Sequence, residues 1–411
     1  MSQRSTNGPA GLPARTEVAV VGAGAAGLGV AASLGRREIA TVVLERGEVA
    51  SSWRQRYDGV RLNTVRWMSG LPGMAIPRSA GRWPARDELI SYLERYVERE
   101  RVQVRSGVRV ERIDREASGY RLHASGGDLY ASFVVVAAGY DHTPVIPAWP
   151  GRESFSGELL HAAEYRNAEP FRGRRVLVVG TGNSGSEIAA ELVRSGARVQ
   201  VAMRTPPNLL RRNIFGIPVT ALARLSELQP VPVVDRAGFL LQRLLFGDLT
   251  RYGLPRAPHG IATELRVKGL GAVLDSGFVK ALKDGGLELL PAVVALEGAE
   301  VIFAGGRRER PDVLVAATGY RHDLEQLVGH LGVLGPRGRP IPRGGRTHPA
   351  APRLYFNGYW LPMSGQLPAM RRTTRAISRA IGRECGRERG RRRALSPRLS
   401  ELTKRDRPVG C

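Results

Sequence analysis

The chain has 411 residues, a length that favours two or three domains, and its hydrophobic content of 42% is ordinary for a globular protein. It has no uninterrupted apolar run long enough to span a membrane, so we expect no integral membrane contact. The net charge of +24 does not indicate a nucleic-acid partner, because 58 of the 62 basic residues are arginine, a bias typical of GC-rich genomes.

The first residues, 1–15, are polar and rich in glycine and proline, and they lack the apolar core of a secretion signal. We therefore predict a disordered leader and a cytoplasmic enzyme. The two cysteines, Cys385 and Cys411, have no metal-ligand spacing, so neither a structural disulfide nor a metal site is expected. Residues 386–411 are strongly basic and are predicted to form a disordered tail.

A glycine-rich turn follows the β-branched run of residues 18–21. Gly22 suits the tight strand-to-helix turn, Gly24 lets a pyrophosphate approach the backbone, and Gly27 lets helix and strand pack closely. Glu45 lies 18 residues past Gly27, where an acidic side chain binds both ribose hydroxyls of an adenosine. FAD and NAD both fit that carboxylate, whereas the 2′-phosphate of NADP does not.

The apolar run of residues 133–139 ends in small residues, including Ala138 and Gly139. Small residues at the carboxyl end of a parallel strand let the chain pass close to a bound cofactor. We expect this strand to complete the first nucleotide-binding half, and residues 144–147 to form a linker.

A second glycine-rich turn starts 158 residues after the first, with Gly180, Gly182 and Gly185 in the same strand–turn–helix context. Arg204, followed by Thr205, lies 19 residues past the last of these glycines. Arginine there favours a 2′-phosphate through a charge-assisted contact. We therefore infer FAD on the first turn and NADPH on the second.

Residues 206–259 have the spacing of amphipathic helices. We expect them to pack on the second domain or on a dimer partner and to contribute to a substrate tunnel, with a surface resting on membrane as the alternative. A further strand end at residues 313–319, with Thr318 and Gly319, precedes the return of the chain to the first domain. The predicted fold is α/β, with two Rossmann-like domains: FAD-binding at 16–150 and 324–385, and an inserted NADPH-binding domain at 151–323.

Between the two nucleotide units, Phe155, Gly157, His161 and Tyr165 form the pattern FxGxxxHxxxY. With both glycine turns and the Ala-Thr-Gly strand end, residues 16–385 resemble flavin-containing monooxygenases, most of all the plant YUCCA-type enzymes and their bacterial relatives. Further matches are Trp53, Arg56-Tyr57-Asp58, Arg61-Leu62, Trp83-Pro84 and Val273-Leu274-Asp275. Baeyer–Villiger monooxygenases have tryptophan in place of Tyr165, so they are the alternative.

The resemblance implies that NADPH reduces FAD, that the reduced flavin and O₂ give a C4a-(hydro)peroxide, and that one oxygen atom passes to a small organic substrate. N- or S-oxygenation and oxidative decarboxylation of an aromatic 2-oxo acid all remain open. A non-catalytic, membrane-associated flavoprotein is a further alternative. A disulfide reductase is disfavoured, because no redox cysteine pair follows the first turn.

The resemblance also implies roles for individual residues. Asn63 is expected beside the flavin as the catalytic residue, since an amide both donates and accepts hydrogen bonds; a turn-capping asparagine is the alternative. His161 and Tyr165 would share one face if their segment is helical, and they are expected to support the motif rather than to transfer protons. A helix starting near Pro368 would point its positive end at the flavin.

The complete set of predicted cofactor-binding residues is Gly22, Gly24, Ala26, Gly27, Glu45, Arg46, Trp53, Thr64, Val110, Ala138, Gly139, Gly180, Gly182, Asn183, Ser184, Gly185, Arg204, Thr205, Thr318, Gly319, Gly358, Gln366 and Leu367. Phe155, Gly157, His161 and Tyr165 are the motif-supporting residues. The expected partners are a small-molecule substrate and O₂, with a homodimer left open.

Overall fold

The computed structural model describes residues 12–269 and 271–405. Its strands are, in chain order, β1 (Arg15–Val21), β2 (Thr41–Glu45), β3 (Val104–Ser106), β4 (Val110–Glu116), β5 (Gly119–Ala124), β6 (Gly127–Val136), β7 (Thr143–Pro144), β8 (Glu158–His161), β9 (Arg175–Val179), β10 (Arg198–Ala202), β11 (Leu209–Arg211), β12 (Asn213–Ile214), β13 (Ile217–Pro218), β14 (Val273–Asp275), β15 (Leu287–Leu290), β16 (Val293–Glu297), β17 (Glu300–Phe303), β18 (Arg308–Glu309), β19 (Val313–Ala316), β20 (Tyr320–Arg321), β21 (Leu334–Gly335), β22 (Arg339–Pro340) and β23 (Leu354–Phe356).

The α-helices are α1 (Ala25–Gly35), α2 (Ser51–Arg54), α3 (Arg66–Ser69), α4 (Arg86–Glu100), α5 (Asn183–Ser195), α6 (Val219–Ser226), α7 (Val231–Phe246), α8 (Ile261–Lys268), α9 (Phe278–Lys283), α10 (Glu325–Val328) and α11 (Gln366–Arg405). Each predicted glycine turn leads from a buried strand into a helix, β1 into α1 and β9 into α5. The helical pattern predicted for residues 206–259 corresponds to α6 and α7, preceded by three short strands.

The first sheet has seven strands in the order β3-β2-β1-β6-β5-β4, and β23 pairs with β6 beside this path. Strands β1, β2, β3, β6 and β23 are parallel to their neighbours in this set, whereas β4 and β5 form an antiparallel extension of β6. Residues 134–136 of β6 pair with β23, so the chain returns to this sheet after residue 350.

The second sheet has five parallel strands in the order β15-β10-β9-β19-β8, all drawn from residues 158–316. Its segment therefore lies between the two parts of the chain that build the first sheet. Strands β7 and β20 pair where the chain passes from the first domain to the second and where it returns. The prediction of an α/β fold with two Rossmann-like domains, the second inserted into the first, is confirmed, while the domain boundaries near residues 150 and 323 remain our proposal.

Each sheet has an apolar core on both faces. In the first domain, the last four residues of β1 and of β6 are buried, with α1, α4 and α11 packed on one side and the β4–β5 extension contributing to the core on the other. In the second, β9 and β19 are covered by α5 and α9 on one face and by β16 and β17 on the other. Strands buried on both faces read as continuous apolar runs, which is why β1, β6, β9 and β19 could be recognised in the sequence.

The two chain ends differ from the predicted boundaries. Residues 1–11 of the predicted leader lie outside the described residues, but β1 already begins at Arg15. Helix α11 continues to Arg405, past residue 386 where the predicted disordered tail begins, and the tail itself stays a prediction. Residues 406–411 lie outside the description. Among the described residues, no helix is long and apolar enough to cross a membrane.

Candidate functional site

The two glycine-rich turns have the same backbone geometry. Gly22 and Gly180 have φ of +107° and +113°, a region that side-chain-bearing residues rarely adopt. A Cβ atom at Gly22 would lie 2.4 Å from the carbonyl oxygen of Ala137, and one at Gly180 would lie 2.5 Å from that of Ala317. The small-residue ends of β6 and β19 therefore press against the first glycine of each turn.

The second and third glycines of each turn have different reasons to be glycine. A Cβ at Gly27 or Gly185 would lie 2.0 Å from the carbonyl oxygen of the first glycine of the same turn. At Gly24 and Gly182, in contrast, a Cβ would point into space with nothing within 4 Å. These two residues are the N-caps of α1 and α5. Both turns therefore fit a pyrophosphate, which would take that space and meet the free N–H groups of the helix.

Glu45 ends β2 with its carboxylate buried beside the first turn. Its Oε2 accepts a hydrogen bond from the Ala23 N–H at 2.7 Å, and its Oε1 accepts from Gly47 N–H at 2.9 Å and from Ser51 Oγ at 3.0 Å. These contacts hold the carboxylate against the turn. A carboxylate in this position could bind the ribose hydroxyls of an adenosine. Val110 begins β4 two residues after Val108, whose N–H donates to the Glu45 carbonyl.

Arg46 follows β2 of the first domain, and Arg204 follows β10 of the second. Arg46 Nη1 contacts His142 Nε2 at 3.0 Å. Arg204 follows β10 and is exposed. The next residue, Thr205, accepts a hydrogen bond through its carbonyl from Thr181 Oγ1 of the second turn at 3.4 Å. The segment that carries Arg204 is thereby held next to the second turn.

One cavity of about 550 Å³ joins the two turns. The N-terminal turn of α1 lines it from the first domain, and that of α5 lines it from the second. Predicted site residues that line the cavity are Gly24, Ala26, Trp53, Asn63, Thr64, Gly139, Asn183, Ser184, Gly358, Gln366 and Leu367. The other predicted cofactor-binding residues, among them Glu45, Arg46, Val110, Ala138, Arg204, Thr205, Thr318 and Gly319, lie outside this lining.

The far wall of the cavity is apolar and comes from the insert of residues 206–259 and the segments that pack on it. Leu222 of α6 and Leu241 of α7 face the cavity together with Leu210, Ile214, Val219 and Ile261. Most of these side chains belong to one small core of the insert. The predicted contribution of the insert to a tunnel wall thus has a structural counterpart, in a shape that suits an apolar ligand.

Asn63 contacts a polar network rather than capping a turn. Its Oδ1 accepts a hydrogen bond from Arg212 Nη2 at 3.3 Å, and the same guanidinium donates to Glu187 Oε1 at 2.6 Å. The hydroxyl of Tyr57 donates to the other oxygen of Glu187. Asn63 lines the cavity, and with its Oδ1 accepting from Arg212 its amide still has two N–H groups to donate.

This network joins three parts of the chain at a buried carboxylate. Tyr57 belongs to the first domain, Glu187 to α5 of the second, and Arg212 to the insert. Burial raises the pKa of Glu187, while the nearby Arg212 and Tyr57 lower it, with a net rise. Burial together with the Glu187 carboxylate raises the pKa of Tyr57 well above its usual value, so the phenol remains a donor. Neither Glu187 nor Arg212 was among the predicted site residues.

The FxGxxxHxxxY segment is a strand at His161, which ends β8, so the condition for a shared helical face of His161 and Tyr165 is not met. A strand forms here because residues 158–161 pair with β19. The Ala163 N–H donates to His161 Nδ1 at 3.0 Å, and His161 Nε2 lies 3.1 Å from the Gly319 carbonyl oxygen. His161 therefore joins the motif to the end of β19 as a neutral ring, and burial lowers its pKa.

The remaining motif residues, Phe155, Gly157 and Tyr165, make packing contacts. A Cβ at Gly157 would lie 2.6 Å from the ring of Phe155, so the glycine makes room for that ring. Tyr165 is buried, stacks on Phe171 with ring centroids 5.6 Å apart, and meets Tyr57 edge-on at 6.2 Å. Through Tyr57 the motif reaches the network around Glu187.

The C-terminal segment closes the cavity on the side of the first turn. Asn357 is buried and donates through Nδ2 to the Ala26 carbonyl at 3.1 Å and to Thr374 Oγ1 at 3.0 Å. Gly358 has φ +97° and is followed by α11, which starts at Gln366, close to the predicted Pro368. The N-terminal end of α11 lines the cavity, as the helix-dipole argument requires.

Comparison with known proteins places this geometry among flavoenzymes. A family described as pyridine nucleotide-disulphide oxidoreductase matches residues 19–223. Indole-3-pyruvate monooxygenase YUCCA1 of Oryza sativa subsp. japonica is 34% identical over 321 residues, which cover 77% of this chain and 79% of that protein.

Solved structures of monooxygenases have a similar fold. A flavin-containing monooxygenase from Stenotrophomonas maltophilia superposes with a TM-score of 0.69 at 25% identity, covering 90% of this chain and 99% of that one. An open form of cyclohexanone monooxygenase has a TM-score of 0.64 at 20% identity, covering 90% of this chain and 88% of that one, and it shares the fold.

Proposed function

Because this chain belongs to the flavin-containing monooxygenase family and has YUCCA-type relatives, we propose that it oxygenates an aromatic 2-oxo acid with loss of CO₂. It is an NADPH-dependent oxidoreductase that uses FAD. The substrate class is drawn from the relatives, which are named indole-3-pyruvate monooxygenases. The observation that carries the proposal is the cavity that connects both glycine turns to an apolar wall.

The proposed reaction balances without any further reagent. A 2-oxo acid RCOCOO⁻, O₂, NADPH and a proton give RCOO⁻, CO₂, NADP⁺ and water. The bond between the two carbonyl carbons breaks, one oxygen atom of O₂ enters the new carboxylate, and the other leaves as water. The electrons come from NADPH.

The two cofactors supply hydride transfer and oxygen activation when bound, and the chain binds, orients and keeps water away. In our proposal Gly24 and Gly182 receive the two pyrophosphates, Glu45 the FAD ribose, and Arg204 the 2′-phosphate of NADPH. Asn63 presents its amide N–H groups at the point where the two nucleotide sites face each other. The apolar side chains of the insert take the aromatic part of the substrate and exclude water from it.

The proposal is tested by turnover under ¹⁸O₂ with phenylpyruvate and indole-3-pyruvate, followed by mass spectrometry of the product acid. We expect one ¹⁸O atom per product molecule and one CO₂ released per NADPH oxidised. NADPH oxidation that yields only hydrogen peroxide with these acids, but labelled product with an amine or a sulfide, would replace the substrate class and keep the monooxygenase.

A further inference from the structure

The outer face of α7 carries an apolar stripe at the surface. Val233, Leu240 and Leu244 are 53%, 70% and 70% exposed, and Ala237 between them is exposed as well. Their spacing of four, three and four residues places all of them on one face of the helix. The stripe is thus a continuous apolar face without a covering element among the described residues.

The exposure is concentrated in the insert. Nine of the fourteen large apolar side chains that are most exposed in the described part of the chain lie within residues 206–259. Phe215, at the tip of the β12–β13 hairpin, is 85% exposed, and Leu228, between α6 and α7, is 83% exposed. Apolar exposure on this scale in one segment marks an interaction surface rather than scattered surface residues.

The same helix borders the cavity on its other side. Val234, Gly238 and Leu241 line the cavity, and Ala237 both lines it and is exposed. The cavity therefore reaches the surface at the stripe. Whatever covers the stripe lies next to the entrance that an apolar ligand would use.

The charges beside the stripe are positive. Arg236 and Arg243 are exposed and, at helical spacing, flank Leu240. Asp235 is the single acidic residue of α7, and it is turned inward, where its Oδ1 accepts from the Ala262 N–H at 2.7 Å and its Oδ2 accepts from Thr263 Oγ1. Glu227, between α6 and α7, accepts from the Ser364 N–H at 2.9 Å.

We propose that the α7 stripe docks on the surface of a bilayer containing anionic phospholipids. An apolar helical face flanked by arginines combines burial of side chains with attraction to anionic headgroups. A second copy of this chain fits less well, because a two-fold pairing of α7 would bring Arg236 and Arg243 of both copies together. Docking would place the cavity entrance at the lipid interface.

The test is co-sedimentation of the FAD-loaded protein with phosphatidylcholine vesicles that contain or lack phosphatidylglycerol. The protein is expected to bind the anionic vesicles and to be released by salt. The double variant L240S/L244S is expected to bind at least about tenfold more weakly, since two leucines no longer enter the interface. R236Q/R243Q is expected to lose roughly fivefold in affinity for the anionic vesicles per arginine.

Ile341→Ser is the matched control, because Ile341 is 50% exposed but lies outside the insert. Equal flavin content and equal thermal midpoints show that the variants are folded, and vesicle binding needs no turnover, so the outcome is independent of the proposed reaction. Absence of binding to anionic vesicles, or full binding by L240S/L244S, overturns the proposal. A dimer that becomes monomeric in L240S/L244S in the ultracentrifuge overturns it too, in favour of a self-contact.

Discussion

Arg204 is the residue on which the assignment of NADPH to the second turn depends. Replacing it by alanine removes one charge-assisted contact to a 2′-phosphate and leaves the rest of the dinucleotide site in place. We expect the preference for NADPH over NADH in kcat/KM to fall by roughly 10- to 100-fold. Arg198→Ala, at the opposite end of β10, should leave the ratio unchanged. An unchanged ratio in Arg204→Ala would move the role to another arginine, such as Arg211.

His161 gives the protein a pH-dependent stability. Its ring is held neutral by the Ala163 N–H on Nδ1, and burial lowers its pKa below the ordinary 6.5. Because the unfolded chain then binds more protons than the folded one, the free energy of unfolding should fall as the pH drops through 6.5 and below. His161→Gln should flatten this slope in urea titrations at several pH values. A slope unchanged in His161→Gln would contradict the argument.

The residue-scale chemistry could be predicted only where it is local. The glycine positions and Glu45 follow from spacing along a single strand–turn–helix unit. Tyr57 and Glu187 are 130 residues apart in sequence, and Arg212 reaches them from a third segment, so only the tertiary fold brings them together. The local signal for this network is a glutamate, Glu187, directly before the apolar residues 188–190 of α5.

At the scale of elements, alanine is expected to have opposite effects at the first and the second glycine of the first turn. Gly22→Ala would force a Cβ against the Ala137 carbonyl at a positive φ, so this variant should misfold or lose stability strongly. Gly24→Ala meets no protein atom, so it should fold normally and bind FAD about 10- to 100-fold more weakly.

The second turn supplies the matched control. Gly182→Ala should keep its FAD and instead raise the KM for NADPH, because we assign the open space at Gly182 to the NADPH pyrophosphate. Flavin content after purification, thermal midpoints and NADPH titrations distinguish the cases. Full FAD content together with an unchanged NADPH KM in both alanine variants would show that the space at Gly24 and Gly182 is not where the pyrophosphates lie.

Element type was predictable where a segment is buried on both faces or clearly amphipathic, as in β1, β9 and α7. At residues 158–165 the sequence left the element type open, and the strand there depends on pairing with β19. The partner strand β19 comes from residues 313–316, so the local pattern at residues 158–161 could not reveal this pairing. Beyond residue 386 the basic composition predicts a disordered tail, whereas α11 continues to Arg405, and the tail stays a prediction.

At the scale of the whole molecule, the Glu187 network connects the two domains and the insert. Tyr57→Phe leaves the buried carboxylate with one donor fewer, which should cost about 1–3 kcal/mol in the free energy of unfolding. Tyr252→Phe, at a tyrosine that is 42% exposed, is the control and should change stability by less than about 0.5 kcal/mol. Equal urea midpoints for wild type and Tyr57→Phe would show that the network does not stabilise the domain contact.

The most direct test of the account is anaerobic mixing of the purified protein with NADPH while the visible absorbance of oxidised flavin is recorded. Our assignment of two dinucleotide sites to one cavity predicts that the flavin bleaches rapidly with NADPH and much more slowly with NADH, and that air restores its absorbance. A flavin that stays oxidised under excess NADPH would contradict the assignment of the two turns and the monooxygenase with it.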